Sequence, residues 1–312
     1  MAIAILCSGQ GSQHPGMFDL TGDAPQAASL FAHASAQLGS DPRLLVKQAD
    51  LDMLHLNRTA QLLCTLQALA AAALLNNVLP RRRCLAGYSV GEVAAWGVAG
   101  YLGSVETLDL VDTRSRLMDA QSHGDEGMLF IRGLARASVD KLCEGREAAI
   151  AICNPGNAWV LAGRKDALDS MAREAARNGA LRVSSIPVNV PSHTYLLANA
   201  SATFDRVLAD VHLQASRQPS VRLFSGIDGD PVLDPANDLH KLALQISHPI
   251  QWERCLASCV EAGATAFLEL GPGRALAEMA ASAYPELPAR SLDDFRSVSG
   301  VLDWLARVMG SA

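Results

Sequence analysis

A serine lies between two glycines in the segment AGYSVGE, residues 86–92. Gly87 and Gly91 each stand two residues from Ser89, with a predicted strand before the serine and a predicted helix after it. A sharp strand-to-helix turn crowds neighbouring Cβ atoms, which explains glycines at these two positions. Such a turn exposes the serine oxygen and directs the amide of Val90 into the same space, at a helix N-terminus that favours an oxyanion. The pattern therefore predicts a nucleophilic serine.

A serine nucleophile needs a base, and eight histidines are candidates. Most of them lie among polar or charged neighbours, which indicates solvated side chains. His193 differs, because it follows an apolar extended run that Pro191 ends, in the segment IPVNVPSHTYLL. A loop at that point is expected to face a cleft between two parts of the chain. No carboxylate stands beside His193 in the sequence, so the residue types alone make it one candidate base.

An arginine on the apolar stripe of a predicted helix raises a second question. In the segment SVETLDLVDTRSRLMDA, Arg114 follows Val111 by three residues and precedes Met118 by four. Arg116 instead pairs with Asp112 at the spacing of an exposed ion pair. A buried guanidinium costs several kcal/mol unless it is paired, so Arg114 needs either a structural carboxylate or a substrate carboxylate. Its planar fork suits bidentate binding of either one.

The elements that must position these residues follow an α/β pattern. A short apolar strand, AIAILCS, ends in the glycine-rich GQGSQ, and further predicted elements include a buried helix over Thr59–Asn76 and a strand, glycine turn and helix in TAFLELGPGRALAEMA. Between 124 and 187 the order is strand, helix, strand, strand, helix, strand, which is typical of a ferredoxin-like unit. The sequence predicts a large α/β domain over 1–123 and 188–312, with this small domain inserted at 124–187.

Composition excludes several classes of function. The net charge of −6 disfavours nucleic acid as a partner, because phosphate binding needs a basic face. The N-terminal apolar run is too short for a signal peptide, and no uninterrupted apolar run reaches the length of a membrane span. The seven cysteines include no CxxC pair and lie mostly in apolar surroundings, which favours reduced thiols in a cytoplasmic protein without a metal site.

A basic run, Arg81 to Arg83, precedes the strand that leads to Ser89. The strand separates the run from the serine, so these arginines are expected at the opposite edge of the sheet. The run is predicted to be a solvated loop rather than a phosphate-binding patch.

Six motifs in order along the whole chain resemble those of the malonyl-CoA:acyl-carrier-protein transacylase family. They are GQGSQ (9–13), GYSVGEVAA (87–95), RSRLM (114–118), NVPSH (189–193), HPIQW (248–252) and ELGPG (269–273). The resemblance implies an α/β-hydrolase-like large domain with a ferredoxin-like small domain, the fold that the element order also favours. It further implies transfer of a malonyl group from malonyl-CoA, through a serine ester, to an acyl-carrier protein, without a bound cofactor.

The resemblance also assigns roles by position. Ser89 matches the acylated nucleophile, His193 its base, and Gln245 the residue whose backbone carbonyl orients that histidine. Gln10 and Val90 match the donors of the oxyanion hole, and Arg114 matches the residue that holds the malonyl carboxylate. The matches at cleft-lining, substrate-binding positions are weaker and fall on Gln61, Asn154 and Asn157.

Tyr88 departs from the family, which usually has histidine before the serine. Tyrosine cannot be cationic near neutral pH, so the second contact to the malonyl carboxylate is in question. GYSVGE with AAWGVAG resembles the form found in malonate decarboxylase systems, as the epsilon subunit, which loads malonyl onto a small carrier bearing a modified dephospho-CoA arm. We therefore expect that role first, with a transacylase of fatty-acid or polyketide synthesis as the alternative.

Two other classes remain as weaker alternatives. A thioesterase or other serine hydrolase uses the same turn, but hydrolases generally place the histidine late in the chain, after an acid, and 119 residues follow His193 here. A non-catalytic scaffold in an acyl-carrier assembly would not need both Ser89 and His193.

Overall fold

Two separate β-sheets organise the chain, and the computed structural model describes residues 2–214 and 220–310 of it. Within those residues the strands are β1 (Ala2–Cys7), β2 (Arg83–Gly87), β3 (Glu126–Arg132), β4 (Ala148–Asn154), β5 (Ala158–Arg164), β6 (Arg182–Ile186), β7 (Val221–Phe224), β8 (Ala264–Glu269) and β9 (Ala289–Ser291).

Helices cover both sheets. They are α1 (Ala28–Leu38), α2 (Pro42–Gln48), α3 (Leu51–His55), α4 (Asn57–Leu75), α5 (Val90–Ala99), α6 (Ser104–Gln121), α7 (Arg136–Cys143), α8 (Lys165–Arg177), α9 (Ala198–Ala209), α10 (Pro235–Asp238), α11 (Lys241–Ser247), α12 (Trp252–Glu261), α13 (Ala275–Ala283) and α14 (Val298–Val308). Short 3-10 helices occupy Pro25–Ala27, Tyr195–Leu197 and Leu292–Asp294.

The larger sheet has five strands in the order β7-β2-β1-β8-β9, and every pairing is parallel. Strands β1 and β2 are buried along their whole length and, apart from Arg83, are continuous apolar runs, as expected for a parallel sheet covered on both faces. Because the strands are parallel, the loops that follow β1, β2 and β8 emerge at one edge. GQGSQ, GYSVGE and ELGPG therefore meet at the carboxyl edge of the sheet, where α/β proteins place their binding sites.

The smaller sheet is antiparallel, in the order β4-β5-β3-β6. One face packs with α7 and α8 around a core of its own that includes Leu129, Ile131 and Leu161. Met128 and Val160 point the other way and join the main core. The alternation of side chains along each strand thus gives this sheet one face for its own helices and one for the larger part of the protein.

The HPIQW segment ties the two sheets together. The backbone of Ile250 pairs with β4, accepting from Cys153 at 2.8 Å and donating to Ala151 at 2.9 Å. Trp252 is buried, and its ring packs edge to face on Tyr88 at 5.3 Å between centroids. This motif therefore fixes the antiparallel sheet over the carboxyl edge of the parallel one.

Helix α4 is long and apolar enough to cross a membrane by length and composition alone. Nearly all of its side chains from Ala60 to Ala71 are buried, and it packs on α1, α5 and α6. Its polar residue Gln67 accepts from the Thr21 hydroxyl at 2.7 Å and donates to the Leu270 carbonyl. These contacts are those of a core helix inside the protein.

The prediction for the basic run is wrong at one residue. Arg81 and Arg82 are exposed, at the amino end of β2 and away from Ser89, as expected. Arg83 is instead buried as the first residue of β2, and its guanidinium donates to the Pro80 carbonyl at 3.0 Å. Burial lowers the pKa of Arg83. Arg83 is buried because it is the first residue of β2. A run of three arginines in the sequence does not indicate which of them begins the strand.

Candidate active site

The turn between β2 and α5 holds Ser89 in a strained conformation, with φ 56° and ψ −124°. A Cβ atom on Gly87 would lie 2.1 Å from the Gly91 carbonyl oxygen, and one on Gly91 would lie 2.1 Å from that of Cys7. The glycines are therefore required because the turn packs directly on itself and on the end of β1. Strain of this kind persists only where surrounding structure enforces it, and it is concentrated at functional sites.

His193 Nε2 accepts a hydrogen bond from the Ser89 hydroxyl, at 2.8 Å from Oγ. Its Nδ1 lies 2.5 Å from the backbone carbonyl oxygen of Gln245, which can only accept, so Nδ1 carries the ring proton. The tautomer leaves the Nε2 lone pair facing the serine. His193 also has a positive φ of 65° and donates its amide to the Ile246 carbonyl at 2.8 Å. Helix α11 thus fixes both the backbone and the ring.

The imidazole is kept neutral by its surroundings. The pKa of His193 is lowered to about 3, chiefly by burial and also by the positive charge of Arg114, while the hydrogen bond to Gln245 opposes both effects. A neutral imidazole is the form that can take a proton from serine. The pair is therefore ready to react at neutral pH without a carboxylate partner for the histidine.

Arg114 is fully buried on the inner face of α6, as the apolar stripe predicts. It donates to Gln61 Oε1 at 2.6 Å and to Gln245 Oε1 at 3.0 Å, and its Nε has no partner among the described residues. Both partners are amides, so no carboxylate is hydrogen-bonded to it directly. Burial lowers the pKa of Arg114 to about 10, which leaves it charged at neutral pH. Two of its five N–H donors are used.

Gln245 joins the three groups. Its carbonyl orients His193, its side-chain oxygen accepts from Arg114, and its side-chain nitrogen donates to the Ser89 carbonyl at 3.1 Å and to Glu92 Oε2 at 2.5 Å. The sequence predicts only the first of these contacts. The structure adds the side chain, which no spacing rule in the sequence indicates.

Glu92 is a further buried residue at the site that sequence reasoning missed. It accepts from the Gln245 side chain, the Gly226 amide and the Ser225 hydroxyl, and burial raises its pKa to about 7. It lies in the GYSVGE motif, three residues after the serine, so its place on the first turn of α5 was the available signal. Its contacts fix the direction of the Gln245 amide.

A cavity of about 60 Å³ opens in front of Ser89 and His193. This volume is small against the ~300–1,000 Å³ of a pocket for a drug-sized ligand, so it suits a small acyl group. Its walls come from both sheets and comprise Gln10, Tyr88, Ser89, Met128, Ile152, Val160, Ile186, Val188, Ser192 and His193. The apolar residues of the antiparallel sheet shield the serine from bulk water.

The loop after β1 brings Gln10 to this cavity. A Cβ atom on Gly9 would lie 2.8 Å from the Tyr88 carbonyl oxygen, so the loop packs directly on the serine turn. The Gln13 side chain ties the loop to helix α3, because it accepts from the Gly11 amide and donates to the Leu54 carbonyl. Val90 is the first residue of α5, and an N–H at that position has no partner within its helix.

Glu269 anchors the same loop from the ELGPG motif. It accepts from the Ser8 hydroxyl at 2.7 Å and from the Ala277 amide at 2.9 Å, at the start of α13. Burial raises its pKa to about 7. The motif therefore has a structural contact to the Gln10 loop and none to the cavity itself.

Tyr88 lines the cavity, and its hydroxyl is hydrogen-bonded to Asn154. Burial raises the pKa of Tyr88, so the phenol stays neutral. Asn154 is buried at the end of β4 but does not line the Ser89 cavity. Asn157 is placed elsewhere: it is exposed at the turn between β4 and β5, with a positive φ of 53°. Asn157 therefore does not line the cavity at Ser89, because its conformation serves the turn, and its role at the cleft stays a prediction.

The parallel sheet, the strained serine and its neutral histidine define the constellation of enzymes that form a serine ester. Residues 5–298 match the acyl transferase domain family. The malonyl CoA-acyl carrier protein transacylase of Salmonella typhimurium is 30% identical over 310 residues, covering 96% of this chain and 98% of that protein. The chain belongs to the acyl transferase family.

Solved structures agree over nearly the whole length. The malonyl CoA-acyl carrier protein transacylase of Coxiella burnetii has a TM-score of 0.90 and 27% identity, covering 99% of this chain and 98% of that one. A malonyl-transacylase solved in complex with its type II PKS acyl-carrier protein has a TM-score of 0.89 and 26% identity, covering 98% and 100%. The fold is therefore that of these transacylases, with a parallel and a separate antiparallel sheet.

The electrostatics of His193 lead to a prediction for the free protein. A small sulfonyl fluoride should label Ser89 at a rate that stays high well below pH 6.5, the ordinary pKa of histidine, because the buried imidazole remains neutral. Replacing Arg114 with alanine removes a positive neighbour, so the acid limb of the labelling rate should move to higher pH. Tryptophan fluorescence at each pH controls for unfolding, and a wild-type midpoint near 6.5 would contradict the argument.

Proposed function

We propose that this protein is a malonyl-CoA:acyl-carrier-protein transacylase that works through a malonyl ester of Ser89. The observation that carries the proposal is Arg114, a buried guanidinium with free donors in one hydrogen-bonded network with Ser89 and His193. Arg114 is fully buried and is not among the residues that line the cavity at Ser89, so an acyl group that brings its own carboxylate pairs with the unpartnered Nε where the site opens toward that arginine. The names of the relatives support malonyl-CoA as the donor and an acyl-carrier protein as the acceptor.

The geometry of Ser89 and His193 supports the following reaction. Ser89 Oγ attacks the thioester carbon while His193 Nε2 takes its proton, and the amides of Gln10 and Val90 stabilise the oxyanion. Removing one such donor in other enzymes costs about 2.7–4 kcal/mol. The thiolate of CoA leaves with the proton from His193. The carrier thiol then enters, gives its proton to His193 and attacks the ester, and the Ser89 oxygen leaves with that proton from His193, which restores both groups. These steps need no bound cofactor.

Malonyl binding also assists the proton transfer. In the free protein the charge of Arg114 lowers the pKa of His193, which disfavours the imidazolium. A malonyl carboxylate on Arg114 offsets that charge, so the imidazolium that forms during attack becomes less unfavourable. Acetyl cannot do this. The arginine therefore acts on binding and on the acylation step together.

The carrier protein is the finer question. The relatives favour a carrier of fatty-acid or polyketide type. We therefore propose a transacylase of fatty-acid or polyketide synthesis first and the malonate decarboxylase role second. Tyr88, a neutral phenol where the family usually has histidine, is the observation that favours the second. In both readings the acceptor is a thiol at the end of a long flexible arm.

Two expectations about the domains and one about the cellular location accompany the proposal. The helix and strand order of the antiparallel sheet supports a ferredoxin-like small domain over 124–187, and the strained serine turn supports a hydrolase-like large domain over 1–123 and 188–312. Free cysteines support a cytoplasmic location.

The acyl-enzyme itself is the first prediction. Mass spectrometry after mixing with malonyl-CoA should find the malonyl adduct on the peptide that contains Ser89. Ser89→Ala should abolish the adduct, and His193→Ala should slow its formation by orders of magnitude, because nucleophile and base act as a unit. Release of free malonate without transfer would indicate a hydrolase, and an adduct on Cys84 would contradict the assignment of Ser89 as the nucleophile.

The carrier can be identified by a competition between acceptors. We expect label from malonyl-CoA to pass to a fatty-acid-type holo carrier at least as fast as to a carrier bearing the modified dephospho-CoA arm. Each carrier without its arm serves as the control for non-specific labelling. Preference for the dephospho-CoA arm would make the malonate decarboxylase role the correct one and leave the transferase chemistry unchanged.

Arg114 decides the substrate class. Arg114→Ala should lose most malonyl transfer, with acetyl transfer level or higher, because only malonyl uses the guanidinium; charge-assisted bonds contribute about 1.5–3 kcal/mol each. Arg114→Lys should rescue only in part, since one ammonium cannot reproduce the planar fork. Arg116→Ala, in the exposed ion pair with Asp112, is the matched control. The measurement is kcat/KM for both CoA esters, and equal losses would make Arg114 purely structural.

A further inference from the structure

A chain of polar side chains runs from Arg114 to the surface of α6. Arg114 donates to Gln61 Oε1 at 2.6 Å, Gln61 Nε2 donates to Asn57 Oδ1 at 2.7 Å, and Asn57 Nδ2 donates to Asp119 Oδ1 at 2.8 Å. Gln61 and Asn57 are buried, whereas Asp119 is exposed at the rim of a second cavity that Asn57 also lines. The chain thus connects the buried guanidinium to a surface carboxylate.

The direction of this chain is set at both ends, because Arg114 only donates hydrogen bonds and the Asp119 carboxylate only accepts them. Asp119 draws the nitrogen end of the Asn57 amide toward itself, and the Ser115 carbonyl, at 3.4 Å, accepts from the same nitrogen more weakly. The oxygen of Asn57 then faces Gln61, which draws the Gln61 nitrogen and turns the Gln61 oxygen toward Arg114. Were the Gln61 amide reversed, its NH₂ group would face the guanidinium donor to donor.

We propose that Asp119 is a positioning residue that sets the specificity of the site for malonyl, by fixing the Gln61 oxygen toward Arg114; this inference rests on the function proposed above. Gln245 has the corresponding arrangement on the other side of the guanidinium, where Glu92 fixes its amide directly. Arg114 is therefore held by two amide oxygens, each oriented by a carboxylate farther away.

The relay has a chemical advantage over a direct ion pair. A carboxylate bound to Arg114 would compete with the malonyl carboxylate for the same donors. Amide oxygens hold the side chain in place with a weaker attraction and leave its Nε–H free. The negative charge of Asp119 stays two amides away.

Asp119→Asn tests the proposal because it keeps the size of the side chain and replaces a group that only accepts hydrogen bonds with one that can also donate them. An amide at position 119 can accept from Asn57 or donate to it, so the outer end of the chain no longer favours one direction of the Gln61 amide and only Arg114 and the weaker Ser115 contact do. We expect kcat/KM for malonyl-CoA to fall about threefold to tenfold, as for coupled neighbours, with acetyl-CoA unchanged. Asp119→Glu, which retains the carboxylate, should restore most of the malonyl activity. The matched control is Asp109→Asn, an exposed acid of the same helix that contacts His33 and Gln37.

A double-mutant cycle separates this role from a simple contact between α4 and α6. Gln61→Ala removes the link to Arg114, so adding Asp119→Asn should change the malonyl-to-acetyl ratio no further. An equal loss for both substrates, or an undiminished effect without Gln61, would overturn the proposal. If Arg114→Ala changes the ratio and Asp119→Asn does not, the relay is wrong and the proposed function stands. If Arg114→Ala leaves the ratio unchanged, the proposed substrate role itself fails.

Discussion

Ser89, His193 and Arg114 all depend on the placement of Gln245. Its carbonyl fixes the proton of His193 on Nδ1, and its side chain reaches both Arg114 and the backbone of Ser89. A residue so connected has almost no freedom, because Glu92 holds the remaining hydrogen of its amide. The Ser89–His193 pair and Arg114, the arginine proposed to bind the malonyl carboxylate, are therefore held in fixed positions by the side chain and the backbone carbonyl of Gln245.

The fold supplies this register through the edges of its two sheets. Parallel strands bring the Gln10 loop and the Ser89 turn to one edge, where the absence of side chains at Gly87 and Gly91 allows direct backbone packing. The antiparallel sheet covers that edge with apolar side chains, and the backbone of Ile250 holds it there. Burial under this sheet disfavours the charged forms of two side chains, since it lowers the pKa of His193 and raises that of Glu92. A neutral His193 beside Ser89 is what proton transfer from the serine requires.

The sequence predicts those parts of the site that depend on local geometry. Glycine spacing identifies the serine turn, and helical periodicity puts Arg114 on a buried face, because both are properties of a few consecutive residues. Contacts between distant segments leave no such trace: the side chain of Gln245, the relay through Asn57 and the inward position of Arg83 depend on packing across the fold. Asn157 matches a cleft-lining position of the family in the sequence, but in the structure it lies at the turn between β4 and β5. The motifs HPIQW and ELGPG were recognisable, but their roles as supports for β4 and for the Gln10 loop required coordinates.

The crystal structure of the malonyl ester of Ser89 would test the central claim most directly. The account predicts that the malonyl carboxylate lies within hydrogen-bonding distance of two N–H groups of Arg114, the Nε–H among them, with the ester oxygen facing the amides of Gln10 and Val90. The oxygens of Gln61 and Gln245 should still face the guanidinium. A carboxylate turned to solvent or held by Tyr88, with Arg114 bonded only to its two amides, would contradict it.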